Sequence, residues 1–162
     1  MNKTWMTGLA GCLVSLTMQT YAGELTDETD TFRERRSVVW TGEPSADDLT
    51  FSLLANQSET SSGNKNTFYT AKLSSSGKSA RFPGCFSSRW TVDGDPFPAL
   101  DGRYKLNTFR EIYGEDFSTS VSRESLERIV AAKRVEFRAC DVRGTLSADD
   151  RQGIQRVLDA TN

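Results

Sequence analysis

The chain contains no histidine among its 162 residues. That removes Ser–His and Cys–His nucleophile activation, imidazole acid–base catalysis and most transition-metal ligand sets. Acid–base chemistry then falls to carboxylates, of which Asp93, Asp95, Asp101, Glu111, Glu115 and Asp116 crowd one stretch. Two of them converging in a cleft would suit a glycosidase pair, and several would suit an oxygen-ligand calcium site. The spacing argues otherwise: Pro96 sits where a calcium loop must turn, and no liganding Glu closes it. Asp93-Gly94, Asp101-Gly102, Pro96 and Pro98 instead read as turn formers. Glycines are isolated, with no phosphate-cradling loop. No catalytic residue, cofactor site or metal site is assigned.

The remaining candidates are contact residues. Arg81, Arg89, Trp90 and Phe97 fall among turns, and Arg and Trp are frequent binding anchors, so these four form a candidate binding surface. The preferred reading of them is core packing and cation-π contact within the fold. Arg33, Arg35 and Arg36, interleaved with Glu34, suit a solvated strand entrance. With 20 Lys and Arg against 22 Asp and Glu, the balance gives no general attraction to nucleic acid.

These side chains must be positioned by short extended runs followed by helices. Residues 23–31 are polar and acidic and read as a flexible lead-in to a domain spanning 32–162. Ser37–Thr41 and Leu49–Ala55 are expected strands, the latter with Leu49, Phe51 and Leu53 on one face. Residues 56–66 suit a hairpin loop, 67–73 a further strand, and the Ser74–Gly77 tract a turn before an extended 79–86. Arg89–Val92 and the 104–113 stretch add more strand. Ser122 suits an N-cap for a helix over 123–132, whose stripe is Leu126, Ile129 and Val130. Val135–Cys140 alternates as a strand buried through Val135, Phe137 and Ala139, and Ser147 caps a last helix bearing Ile154, Val157 and Leu158. Strands first, then helix, strand and helix, predict a single α+β domain. Its architecture is a largely antiparallel sheet or partial sandwich with two C-terminal helices on one face or end.

Residues 1–22 read as a removable export signal: Lys3 supplies charge, Leu9–Met18 the apolar middle, and Thr20-Tyr21-Ala22 a small-x-small exit. Leu9-Ala10-Gly11-Cys12 also matches a lipid-attachment pattern, which would make the chain an outer-membrane lipoprotein anchored through Cys12. Cleavage after Ala22 is preferred, because it uses the whole apolar run and exposes a polar start. Export leaves Cys85 and Cys140 in a compartment where disulfides persist. Their single possible intramolecular bridge would stabilise the fold by about 4 kcal/mol in the chain-entropy model; two free thiols are the alternative.

The expected role is a non-enzymatic periplasmic or secreted binding or accessory protein of the bacterial envelope, such as an inhibitor, an immunity-type protein or an accessory subunit. Its partner would be another protein or an envelope component, with membrane contact only if Cys12 is lipidated. The alternative is a carboxylate-dependent hydrolase acting on an envelope polysaccharide.

Overall fold

Period-two alternation sets the architecture. In Thr50–Glu59, Phe51, Leu53, Ala55 and Gln57 are buried while the residues between them are not, as in a strand with one face on a core. The structure, a computed structural model, describes residues 23–45, 48–60 and 62–162. Its larger sheet is antiparallel and runs, edge to edge, through β1 (Glu24–Asp30), β2 (Arg35–Pro44), β3 (Thr50–Glu59), β4 (Lys65–Gly77), β8 (Ile112–Val121) and β7 (Arg103–Phe109). A smaller antiparallel sheet runs through β10 (Val142–Thr145), β9 (Val135–Ala139), β5 (Ser88–Val92) and β6 (Asp95–Pro96). A 3-10 turn, Pro98–Leu100, lies between β6 and β7. Two helices complete the single α+β domain: α1 (Arg123–Ala131) and α2 (Ala148–Ala160). Among the described residues no helix is long and apolar enough to cross a membrane.

One face of the larger sheet carries the core. Trp90 of β5 packs at 6.2 Å from Phe51 of β3 and at 5.2 Å from Phe137 of β9, ring centre to ring centre, and so joins the two sheets. α2 covers β2, with the Trp40 indole donating to Asp150 Oδ1 at 3.1 Å. Asp150 also closes a capping box: the Ser147 hydroxyl accepts from its N–H, while its carboxylate accepts from the Ser147 backbone. The Ser122 hydroxyl likewise accepts from Ser125 N at the start of α1.

Four local expectations are corrected, one of them in part: of the expected 56–66 loop, residues 56–59 belong to β3 and 65–66 to β4. Residues 24–30 are not a flexible lead-in but the edge strand β1, in register with β2 from Glu24↔Thr41 to Asp30↔Arg35 and tied by the Arg36 guanidinium to Asp27. Their polarity is that of an edge strand, where charge discourages further pairing. The Ser74–Gly77 tract is strand, because β8 pairs with β4 as far as Gly77↔Tyr113. The irregular piece is 79–87, where only the isolated bridge Ser87↔Arg103 forms.

Candidate anion-binding surface

Alternation within the smaller sheet sends its aromatics inward and its arginines outward. Ser88, Trp90 and Val92 of β5 are buried, as are Val135, Phe137 and Ala139 of β9. Arg89 and Arg138 therefore face solvent. Register sets Arg89 opposite Arg138, and Arg138 opposite Arg143 of β10. Three exposed arginines thus stand in one row across three adjacent strands.

Like charges directly opposed across strands destabilise a sheet. Among the described residues no carboxylate forms an ion pair with any of the three. Glu136, beside Arg138 on the same strand face, is taken by Arg134 at 2.8 Å. Arg138 Nε donates to the Cys140 carbonyl at 2.9 Å, which orients its guanidinium. Ser87, Arg89, Arg138 and Cys140 line a recess of about 310 Å³.

The segment leading into β5 is held at two points. Cys85 is joined to Cys140 with Cα atoms 5.8 Å apart, and Cys140 sits at φ +58° in the turn between β9 and β10. Upstream, the buried Glu115 carboxylate accepts from Arg81 N at 2.7 Å, Phe82 N at 2.8 Å and the Tyr104 hydroxyl at 2.7 Å. Burial alone would raise the Glu115 pKa, but these donors and the nearby Arg81 charge together hold it below the ordinary 4.5. Burial and the same hydrogen bond push the Tyr104 phenol up to about 12. Between these anchors Phe86 stands 83% exposed.

The four residues of the candidate binding surface are separated by the fold. Arg81 and Arg89 are exposed, whereas Trp90 and Phe97 are core residues, 4% and 5% exposed. The reason for Trp90 is its inward parity on β5, and Phe97 is capped by the Arg128 guanidinium at 4.9 Å from its ring centre. Arg138, Arg143 and Phe86 were not among the candidate surface residues. The alternation of Val135–Ala139 already pointed Arg138 outward, and a tight turn at Cys140–Asp141 would have brought Arg143 opposite it.

The carboxylates do not gather. Asp93 accepts from Lys133 N and Arg134 N, and Asp101 from Trp90 N. Asp116 meets Lys72 and Asn107 on the larger sheet, while Asp95 is exposed on β6 and Glu111 is exposed in the turn before β8. Among the described residues no group of three or more metal-ligating side chains assembles. A larger cleft of about 630 Å³ lies at the ends of β2, β3 and β4, but Glu34 and Glu59 offset its Arg35, Arg36 and Lys65. Cys12 and the rest of residues 1–22, the expected export signal, lie outside the described residues. No protein-family model matches the chain, and the searches of curated proteins and of solved structures find no match to it either.

Proposed function

We propose that this chain is an exported, non-enzymatic binding or accessory protein of the bacterial cell envelope, periplasmic or secreted, that engages an anionic partner through Arg89, Arg138 and Arg143. The observation that carries the reading is the row itself: three opposed cations, none with a carboxylate partner among the described residues. Arginine is the side chain best suited to forked recognition of carboxylate and phosphate. The export segment and the Cys85–Cys140 bridge both suit an oxidising compartment. Asp93, Asp101 and Glu115 spend their carboxylates on backbone donors, which favours binding over carboxylate catalysis.

The test is capture from envelope extract at low salt, comparing the native protein with the R89Q/R138Q/R143Q variant after circular dichroism establishes that both are folded. An acidic component held by the native protein, eluted by salt and missing from the variant is the expected result. Equal capture by both proteins would remove the arginine row from the account. Release of reducing sugars from purified envelope polysaccharides would replace it with the hydrolase.

A further inference from the structure

We infer that the recess between Arg89 and Arg138 is a phosphomonoester site, with Arg143 as an additional fork beside it. This rests on the reading of the arginine row as the ligand-bearing surface and names the chemistry of its ligand. Directly opposed residues on antiparallel strands have Cβ atoms roughly 4.5–5.5 Å apart. Two guanidinium groups rooted that close together can straddle one tetrahedral anion, while the third lies one strand further on.

The arrangement is also prepared in advance. Arg138 uses Nε on the Cys140 carbonyl, and its terminal amino groups have no protein partner among the described residues. Cys140 is itself held by the bridge to Cys85, so the carbonyl that orients Arg138 is fixed. The recess, about 310 Å³ and walled on one side by Ser87, has room for a phosphoryl group and part of its ester. Charge selects among anions. A phosphomonoester carries roughly −1.5 to −2 and three acceptor oxygens at neutral pH, enough for two forks. A carboxylate or phosphodiester carries one charge and leaves the second guanidinium unmatched. The same terminal phosphate is offered by a lipid headgroup and by a phosphorylated sugar.

The experiment separates these sources and also separates this inference from the reading beneath it. Native protein, R89K/R138K and R89Q/R138Q/R143Q are titrated calorimetrically with glucose 1-phosphate. They are then floated with phosphatidylcholine vesicles doped with phosphatidic acid or, at matched surface charge, with phosphatidylglycerol. A monoester site binds glucose 1-phosphate or phosphatidic acid in preference to phosphatidylglycerol. It weakens about tenfold or more in the lysine variant, which keeps the charge and loses the fork. Soluble binding identifies a phosphorylated sugar as a sufficient ligand, and binding to phosphatidic acid alone identifies a lipid headgroup. In the soluble assay affinity falls as pH drops below about 6, where the ester becomes a monoanion. Equal retention by phosphatidic acid and phosphatidylglycerol, lost in the glutamine variant, overturns the monoester and leaves the general anion surface standing. Binding that survives in the glutamine variant overturns both. Failure to bind any probe also overturns the monoester, and envelope capture then decides the broader reading by itself.

Discussion

Glu115 holds a charge in the interior, 1% exposed, because three donors converge on its carboxylate. Its pKa is lowered in the fold, so its stabilisation is fully present above about pH 4.5 and is lost as pH falls through the lowered value. Glu115→Gln sets its one amide nitrogen against a backbone N–H, that of Arg81 or that of Phe82, and removes the charge, so denaturant unfolding at pH 7 should show a loss of about 2–3 kcal/mol. The acid limb of its stability profile should also flatten. Tyr104 supplies the mirror case: its phenol is raised to about 12, so its contribution is full below about pH 10 and is lost as pH rises from there through about 12. Ultraviolet titration should find one late-ionising tyrosine, shifted earlier in Glu115→Gln. A native-like pH profile in that variant would show that the carboxylate does not carry the 81–82 segment. Glu115 is visible in the sequence as an acid, but its partners at 81 and 82 come from another part of the chain, and no local spacing announces them.

At the scale of elements, the junction of α2 and β2 turns on one close approach. An ideal Cβ at Gly153 would lie 2.0 Å from Trp40 Cδ2, so the helix can seat on the indole only with glycine there. Alanine is the better helix former by about 1 kcal/mol, yet Gly153→Ala is expected to destabilise by about 1–3 kcal/mol through overpacking. Thermal denaturation and a red-shifted tryptophan emission would register it; a gain in stability would mean that the helix slides without cost. Both helices were legible in the sequence, since caps and apolar stripes are local signals and Ser122 and Ser147 act as expected. β1 and the serine-rich end of β4 were not, because pairing with β2 and β8 decides their state against composition. The arginine row was half legible: parity exposes each arginine separately, but only cross-strand register aligns Arg89 with Arg138 and Arg143.

For the whole molecule, compartment and stability are one question. The Cys85–Cys140 bridge spans a sequence separation of 55 and ties the segment leading into β5 to the turn after β9. A loop of that size should contribute about 2–4 kcal/mol by restricting the unfolded chain, and the bond survives only where thiols are not kept reduced. Compartment and fold are therefore coupled through this bridge. Gly23 belongs to the packed structure: an ideal Cβ there would lie 2.2 Å from the Trp40 ring, and β1 begins at the next residue. Cleavage after Ala22 would deliver a chain whose first residue already touches the core. Expressed with residues 1–22 in a bacterial host, the protein should be recovered from the periplasm with an intact mass starting at Gly23, without lipid and with Cys85 joined to Cys140. Expressed in the cytosol from Gly23 behind an initiating Met, it should be reduced and less stable by about the loop contribution, 2–4 kcal/mol. Cys85→Ser/Cys140→Ser exported normally should match the cytosolic form in stability. A diacylglycerol-modified Cys12 would move the protein to a membrane surface, and equal stability of oxidised and reduced forms would detach the bridge from the fold.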